Sequence, residues 1–383
     1  MRILFMGTSD FAVASLDALV KAGRTPVAVI SQPDKPKGRG YTMTPTPVSA
    51  RAAELGIPVY KPTTLKNGAI ADLLSEIDPE LNVVVAYGKI LPAYVLDYPG
   101  LGSINVHGSL LPMYRGAAPI NKVLMDGCEK TGVTTMYMDT GLDTGDMIFK
   151  AETEITEDDD FGTLHDRCAA LGAELLVKTV DAIEQGTAPR IPQEGETCYS
   201  PMIDNETRRL DMNMSARDFV NRVRGLSPVP CAFCELDGKN LKVYGARLEQ
   251  GSSDAEPGTV VDGKRFVGAD HFAEVAELVD WFAACSDVAA DSEGNLLGDP
   301  TEIAVATHAD RTKVYARMYE IPFDSNRKMM TVVVKHGAEY YVVTKGSLDG
   351  MKNAKNYAVF EQTCRLYAKR GFRVLALSVK KAD

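Results

Sequence analysis

The amino-acid sequence predicts an α/β protein of several domains, whose N-terminal part is a doubly wound parallel sheet. The chain has 383 residues, a length typical of two or three domains. It opens with an apolar strand at residues 2–6, a glycine turn and an amphipathic helix that ends at Gly23. A second apolar strand follows at residues 26–31. This order is a βαβ unit, whose two strands run parallel.

Composition restricts the classes of protein. Hydrophobic residues make up 45% of the chain and charged residues 25%, as in ordinary globular domains. The sequence lacks an apolar run of about 18 residues and a signal-peptide pattern, so we expect a cytoplasmic protein that does not contact a membrane. The 7 cysteines are scattered and odd in number, which favours a reducing compartment. A net charge of −10 argues against a surface that binds nucleic acid everywhere, but a local basic patch remains possible.

Such a patch follows the second strand. The segment QPDKPKGRG places Lys35, Lys37 and Arg39 among prolines and a pair of glycines, which predicts a loop. Two interpretations stay open: a solvated loop, or a basic finger that contacts a phosphate backbone.

The alternation of helices and strands then continues. Periodicity predicts helices at 48–55, 69–77, 120–125 and 161–185, and strands at 57–60, 81–86, 104–106, 131–139 and 146–155. The apolar run at 81–86 indicates a buried central strand. Its carboxyl end leads into YGKILP, at the edge where open α/β sheets bind ligands. GTSDFA contains one glycine, so the dinucleotide-binding fingerprint is absent.

The chemistry is concentrated between Ser103 and Asp146. Asn105 and His107 are two residues apart on a short predicted strand, so they share one face. Asp143 follows in the segment TGLDTGD. An amide, an imidazole and a carboxylate can together polarise a carbonyl and move a proton near neutral pH. None of the three makes a good metal site alone, and we expect no metal.

The character of the sequence changes twice after a predicted linker at 186–207. A short helix and the strands CAFCEL, LKVYGARLE and GTVV predict a small β-barrel. CAFC has CxxC spacing without a second Cys or His pair nearby, which favours structural cysteines over zinc or redox chemistry. Beyond about residue 262 the pattern is α+β, with predicted helices at 271–287 and 298–309, a hairpin at 320–346 and a helix-turn-strand at 360–379.

Residues 1 to about 262 resemble methionyl-tRNA formyltransferases. FMGTSDFAV, SQPDKPKGRG, VVVAYGKILP, INVHGSLLPMYRGAAPI and MDTGLDTGDM follow one another as in that family. The resemblance implies a Rossmann-like catalytic domain at 1–188, a linker at 189–207 and a truncated oligonucleotide-binding-type β-barrel for tRNA at 208–262. It also implies formyl transfer from 10-formyltetrahydrofolate to the methionine amine of initiator Met-tRNA, and we expect a monomer.

The same resemblance implies residue roles. The catalytic residues are Asn105, His107 and Asp143. The expected folate-binding residues are Tyr87, Gly88, Ile90, Leu91, Ser109, Leu110, Leu111 and Pro112. The expected tRNA contacts are Lys35, Lys37, Arg39 and Arg115. Arg115 alternatively caps a helix or forms a salt bridge.

Residues 263–383 resemble the nucleotide-binding domain of P-type cation-transporting ATPases. The matching segments are WFAACSD, GDPTE, PFDSNRKMM, TKG and RGFRVLALS. The resemblance implies an ATP site made of Glu302, Phe323, Lys328, Lys345 and Arg373, with Phe323 stacked on adenine. The family's KGAPE is KGSLD in this chain, and the phosphorylated-aspartate motif DKTGT and membrane helices are absent, so ion pumping is not expected.

Two alternatives to tRNA formylation remain. Formyltransferases that act on amino-sugar nucleotides share the Asn/His/Asp trio, but they need neither the basic finger nor the barrel. The second alternative is a chimeric chain whose C-terminal part only binds ATP. Whether the chain is a natural fusion, an engineered chimera or an artefact stays open at this point.

Overall fold

The computed structural model of the protein divides into two compact units. The first contains Met1–Asp211 and Arg217–Gly245, and the second contains Met212–Ala216 and Ala246–Asp383. The structure describes residues 1–37, 42–236, 239–249, 260–261, 265–267, 272–275, 287–290, 296–297, 316–324, 329–336, 339–346 and 376–381. The domain boundaries expected at 188, 207 and 262 stay predictions.

The centre of the first unit is the expected sheet. The strands of this unit are β1 (Ile3–Gly7), β2 (Ala28–Ile30), β3 (Lys35–Lys37), β4 (Thr42–Thr44), β5 (Val59–Tyr60), β6 (Leu81–Val85), β7 (Ser103–His107), β8 (Arg115–Gly116), β9 (Lys130–Tyr137), β10 (Met147–Glu154), β11 (Tyr199–Ser200), β12 (Ala232–Leu236) and β13 (Lys239–Val243). The sheet order is β10-β9-β7-β6-β1-β2-β5. β1, β2, β5, β6 and β7 pair in parallel, whereas β9 and β10 are antiparallel.

Helices cover both faces of this sheet. The helices that the structure describes are α1 (Phe11–Lys21), α2 (Pro47–Glu54), α3 (Ala71–Ile77), α4 (Ala93–Leu96), α5 (Pro119–Met125), α6 (Phe161–Glu184), α7 (Asn205–Arg208) and α8 (Ala216–Leu226), and the first six contribute to the cores on the two faces. Side chains of β1 alternate between two cores: Phe5 packs into the core that contains α1 and α6, and Met6 into the core that contains α3 and α4. The continuous apolar run of β1 is therefore explained, since both faces are buried.

The start of α6 is held by a cluster of charged and hydroxyl groups. Asp160 accepts a hydrogen bond from the Thr163 amide and forms a capping box with Thr163. The buried Asp159 carboxylate pairs with Arg167 and accepts from Thr156. Burial raises the pKa of Asp159, but hydrogen bonds from Thr156, Arg167 and Thr163 outweigh it and lower that pKa below its usual value.

We expect Arg167→Met to lower the free energy of unfolding by about 1–3 kcal/mol at pH 7, because it leaves a buried carboxylate without its cation. The Asp159 side chain is 6% exposed and that of Arg167 34%. A depressed carboxyl pKa stabilises the fold above the unfolded value of about 3.9 and loses that contribution as pH falls through the folded value. The deficit of the variant should therefore shrink below about pH 4.

Denaturant unfolding at several pH values measures this effect. Arg217→Met is the matched control, since Arg217 and its partner Glu157 are 45% and 76% exposed, and we expect a change within about 0.5 kcal/mol. Equal losses in the two variants would contradict the argument.

Two segments predicted as irregular contain strands. The basic finger is an antiparallel hairpin of β3 and β4 around residues outside the described part. The predicted linker at 186–207 contains β11, which pairs in parallel with β8, and α7. Helix and strand patterns do not reveal these elements because each is only two to four residues long.

The described part of the second unit is made of antiparallel strands. They are β14 (Ala246–Glu249), β15 (Val260–Val261), β16 (Arg265–Val267), β17 (Phe272–Val275), β18 (Ala289–Ala290), β19 (Leu296–Leu297), β20 (Ala316–Asp324), β21 (Met329–His336), β22 (Glu339–Gly346) and β23 (Ala376–Lys381). Their sheets are β14-β17-β16-β15, β18-β19 and β20-β21-β22-β23. The hairpin expected at 320–346 is present as β20–β22.

The helix expected at 271–287 is wrong over Phe272–Val275. These residues form β17, whose backbone pairs with β14 and β16. The pattern of the four residues FAEV is too short to distinguish a helix from a strand. Backbone pairing with the neighbouring strands decides for the strand. The helix expected at 298–309 lies outside the described residues, and the predicted barrel stays a prediction. No helix within the described ranges is both long and apolar enough to cross a membrane.

Candidate active site

The candidate site lies at the carboxyl edge of the parallel strands. Successive strands are added on one side of β1 as far as β5 and on its other side from β6 onward. Open α/β sheets bind ligands at such a point, where the strand order reverses. The loops after β1 and β2 are tied to the loop after β6: the Thr8 hydroxyl and the Gln32 amide both donate to the Tyr87 carbonyl oxygen at 2.8 Å. At the predicted ligand-binding edge, the loops after β1, β2 and β6 are thus joined by hydrogen bonds.

His107 ends β7 and is 5% exposed. Its Nε2 atom lies 2.9 Å from the Tyr114 carbonyl oxygen. Since a carbonyl oxygen only accepts, we assign a proton to Nε2. In the neutral ring Nδ1 then carries a lone pair, and it faces Asp143 Oδ2 at 3.7 Å. That distance exceeds a direct hydrogen bond, but a proton that arrives at Nδ1 is stabilised by the carboxylate.

Asp143 lies in the loop between β9 and β10. Its backbone φ is 54°, in the left-handed region that aspartate tolerates better than most residues. Its Oδ2 atom accepts a hydrogen bond of 2.8 Å from the Gly116 amide. Asp139 shapes the same loop by accepting from the Gly141 amide and the Thr144 hydroxyl. The carboxylate of Asp143 is thereby aimed at His107.

Gly116 allows this approach. Its φ is +106°, and a Cβ atom added there would lie 2.6 Å from the Ser200 carbonyl oxygen. A side chain would therefore push β8 away from β11 and move the amide that holds Asp143.

Asn105 lies two residues before His107 on the same face of β7. Its backbone pairs with Val84 on β6 and Met136 on β9. The side chain is partly exposed and forms no hydrogen bond or ion pair with a residue that the structure describes. Its amide is therefore free to meet a ligand.

Tyr114 is a residue of this site that the sequence did not indicate. Its φ is 60°, an unusual value for a bulky side chain. Three contacts hold it: its amide donates to Cys198 Sγ at 3.3 Å, its hydroxyl lies 3.1 Å from Cys128 Sγ, and its carbonyl accepts from His107. Burial and the hydrogen bond with Cys128 raise the pKa of the Tyr114 hydroxyl.

Arg115, expected to contact tRNA, is engaged within the protein. Its Nε and Nη2 atoms donate to Gln193 Oε1 at 3.0 and 2.8 Å. Gln193 is a second residue that the sequence did not indicate, since it lies in the predicted linker, 78 residues from Arg115.

The expected folate-binding residues divide into two groups. The side chains of Tyr87, Leu91, Ser109 and Leu111 are buried, whereas Gly88, Ile90, Leu110 and Pro112 are partly or fully exposed. Ile90 is the most open, with 88% of its surface exposed. The Tyr87 hydroxyl has no hydrogen-bond partner in the described ranges, and burial raises the pKa of Tyr87 to about 12.

The basic hairpin begins beside these loops. Its base is fixed by hydrogen bonds between Ser31 and Thr46 at 2.6 Å and between Lys61 and Asp34 at 2.6 Å. Lys35 is exposed on β3. Lys37 ends β3, and Arg39 lies outside the described residues.

Few of the expected ATP contacts fall within the described part. Lys345 is 7% exposed on β22, and Phe323 lies on β20. Glu302, Lys328 and Arg373 lie outside the described residues.

The CxxC pair is buried. Burial raises the pKa values of Cys231 and Cys234, which makes both thiols poor nucleophiles. Over the described ranges, no group of three or more His, Cys, Asp or Glu side chains is arranged to hold a metal ion.

Three family comparisons match parts of the chain. Residues 1–180 match the formyl transferase family, residues 202–270 match the formyl transferase C-terminal domain, and residues 274–362 match the cytoplasmic domain N of P-type ATPases.

Individual proteins are similar to the N-terminal part. The methionyl-tRNA formyltransferase of Pelotomaculum thermopropionicum is 48% identical over 266 residues, covering 69% of this chain and 85% of the relative. That of Desulforamulus reducens is 48% identical over 264 residues, covering 68% and 83%. Among solved structures, an N-formyltransferase from Helicobacter canadensis in complex with folinic acid and dTDP-3-aminofucose has a TM-score of 0.54 at 18% identity, covering 72% of this chain and 98% of the other. At that identity the similarity supports the fold alone.

Proposed function

Because the chain belongs to the methionyl-tRNA formyltransferase family, we propose that it transfers the formyl group of 10-formyltetrahydrofolate to the α-amine of methionine on initiator tRNA. The observation that carries the proposal is the convergence of His107 and Asp143 beside the free amide of Asn105, at the carboxyl edge of the sheet. An amine that attacks a formamide-like carbon creates an oxyanion and must lose a proton, and these side chains supply both functions.

Asn105 polarises the formyl oxygen. Its side-chain Nδ2 donates to that oxygen and stabilises the negative charge that develops as the amine adds to the carbon. The side chain needs no rearrangement to do so, because it has no internal partner among the described residues.

His107 moves the proton. The methionyl nitrogen forms a bond to the formyl carbon, and its proton passes to Nδ1 of His107, directly or through a water molecule. The resulting imidazolium lies beside the Asp143 carboxylate. The bond between the formyl carbon and N10 of the folate then breaks, and the proton is delivered to N10. Tyr114 keeps Nε2 occupied throughout, which leaves Nδ1 as the reactive nitrogen.

Folate binds along the loops after β6 and β7. We assign direct contacts to the exposed positions Gly88, Ile90, Leu110 and Pro112. The buried side chains of Tyr87, Leu91, Ser109 and Leu111 support these loops, and Ser109 does so through a 2.6 Å hydrogen bond to the Met113 carbonyl oxygen. An apolar surface with a few polar groups suits a pterin ring.

Formylation assays test the proposed reaction. The purified full chain is incubated with 10-formyltetrahydrofolate and either methionyl initiator tRNA or an amino-sugar nucleotide. We expect formyl-methionyl-tRNA and no formylated sugar, because the basic hairpin is suited to phosphates of a large acceptor. Formylation of the sugar alone would favour the alternative class, and an inactive folded protein would refute the proposal.

The basic hairpin contacts the acceptor end of the tRNA in this proposal. Lys35 is exposed and has no ion pair with a described residue, so replacing it with alanine should weaken tRNA binding and reduce the slope of log affinity against log salt by about 1. Binding titrations at several salt concentrations measure the slope. Lys21→Ala is the matched control, since the end of α1 lies at the opposite edge of the sheet. Equal slopes for wild type and Lys35→Ala would contradict this contact.

The C-terminal segment is proposed to bind ATP, on the strength of its match to the P-type ATPase domain. Stacking on adenine contributes about 1–3 kcal/mol, so Phe323→Ala should weaken ATP binding to the full chain by about tenfold or more. Calorimetry measures the affinity, with Tyr340→Ala as an exposed aromatic control on β22. Absence of ATP binding by the wild type would remove this function.

A further inference from the structure

The segment predicted as a linker is hydrogen-bonded to two loops of the candidate active site. The Ile191 amide donates to the Met147 carbonyl oxygen at 3.0 Å, and the Thr197 hydroxyl donates to the Pro112 carbonyl oxygen at 2.6 Å. The Arg115 amide donates to the Cys198 carbonyl oxygen at 2.9 Å. Residues 191–200 are thus held against the loops of both His107 and Asp143.

Gln193 lies within this segment and connects the two loops. Its Nε2 atom donates to the carbonyl oxygens of Asp143 and Gly145, each at 2.8 Å. Its Oε1 atom accepts from two nitrogens of Arg115. Every hydrogen-bonding position of this amide is therefore used.

These contacts close a ring around the carboxylate. Arg115 precedes Gly116, and the Gly116 amide donates to Asp143 Oδ2. Gln193 fixes the backbone of Asp143 on the other side. The Gly116 amide thus fixes the side chain of Asp143, and Gln193 fixes its main chain. Asp143 has a φ of 54°, a strained value that persists only when surrounding contacts hold it.

We propose that Gln193 is a positioning residue for formyl transfer. It holds the Asp143 loop against Arg115 so that the carboxylate stays 3.7 Å from His107 Nδ1. The inference rests on the proposed function, and it adds a third side chain, distant in sequence, to the groups that set the geometry of proton transfer. It also gives Arg115 a structural role in the site.

Two substitutions separate the contacts of Gln193. Gln193→Leu removes all of them, whereas Gln193→Glu keeps acceptor oxygens for Arg115 and loses the donors to Asp143 and Gly145. We expect both variants to lower kcat by about 10–100-fold with KM for both substrates within about threefold, since misplacement by about 1 Å has an effect of this size. Glu194→Gln, an exposed neighbour, should retain the activity of the wild type.

A double-mutant comparison distinguishes positioning from general stability. If Gln193 acts through the carboxylate, Gln193→Leu should lower kcat less than about threefold in an Asp143→Ala background. Equal losses in both backgrounds, or full activity in Gln193→Glu, would overturn the inference.

Hydrogen–deuterium exchange tests the same inference without any assay of activity. We expect faster exchange over residues 138–147 in both Gln193 variants and unchanged exchange in Glu194→Gln. Unchanged exchange in all variants would overturn the positioning role. A wild-type protein that does not formylate tRNA would refute the proposed function instead, and the exchange data would then decide the role of Gln193 independently.

Discussion

Replacing His107 by glutamine should lower kcat/KM for formyl transfer by about 10²–10⁴-fold, equivalent to about 3–5 kcal/mol of transition-state stabilisation. The glutamine amide can still donate to the Tyr114 carbonyl oxygen, which in the wild type accepts from His107 Nε2 at 2.9 Å. The loop after β7 should therefore keep its shape. The variant lacks a group that takes up a proton at the position of Nδ1, and the amine proton has no acceptor there. Steady-state formylation kinetics measure the loss.

His165→Gln is the matched control for this substitution. His165 is also a buried histidine beside a carboxylate, with its Nδ1 atom 2.9 Å from Asp166 Oδ1. Its ring packs between Phe11 on α1 and Phe161 on α6, and its contacts within the described residues do not include Asn105, His107 or Asp143. We expect activity close to that of the wild type. A His107→Gln protein with activity within about threefold of wild type would show that the imidazole does not transfer the proton.

The strand that carries Asn105 and His107 and the parallel sheet were predictable from the sequence, because local pattern determines both. The run ILFM at residues 3–6 has no polar position, as expected of a strand that is buried on both faces. The i, i+2 spacing of Asn105 and His107 places them on one face of any strand. Asp143 was a candidate from the segment TGLDTGD, but no local spacing connects it to His107, and its expected role came from the resemblance to formyltransferases.

The contacts that tune the site were not predictable in this way. Tyr114 meets Cys198, 84 residues away, and Gln193 meets Arg115, 78 residues away. Such pairs depend on how a loop returns to the sheet, and a glutamine in a segment rich in proline and glycine carries no pattern that indicates it. The mistaken helix at Phe272–Val275 has this origin in part: its pairing with β14 joins residues 23–29 positions apart, although β16 lies nearby in the sequence.

The tautomer of His107 is a further consequence of such a contact. A carboxylate beside histidine ordinarily suggests that it holds the N–H of the ring. Here the Tyr114 carbonyl oxygen occupies Nε2, and the carboxylate faces the opposite nitrogen at 3.7 Å. In the proposed mechanism Asp143 therefore stabilises the positive charge of the ring after Nδ1 accepts a proton, and it does not hold the N–H of the neutral ring.

Replacing Asp143 by asparagine isolates that charge. The amide oxygen of asparagine can accept from the Gly116 amide as Oδ2 does at 2.8 Å, so the loop should remain in place. Two unit charges separated by 3.7 Å attract by about 4 kcal/mol at an effective dielectric constant of about 20. Part of this attraction is lost when the imidazolium forms next to a neutral amide. We expect kcat to fall by about 10²–10³-fold, with little change in the KM for folate.

Nitrogen NMR of the histidine ring gives a second measurement on the same variant. Since Tyr114 determines which nitrogen carries the proton, neutral His107 should keep its proton on Nε2 in Asp143→Asn. A change to Nδ1 would show that Asp143 sets the tautomer, and the proposed path of the proton would then be wrong. Asp139→Asn provides the control within the same loop: asparagine retains an acceptor for the Gly141 amide and the Thr144 hydroxyl, and its charge does not face His107. Activity close to wild type in this control, combined with the loss in Asp143→Asn, would assign the effect to the carboxylate of Asp143.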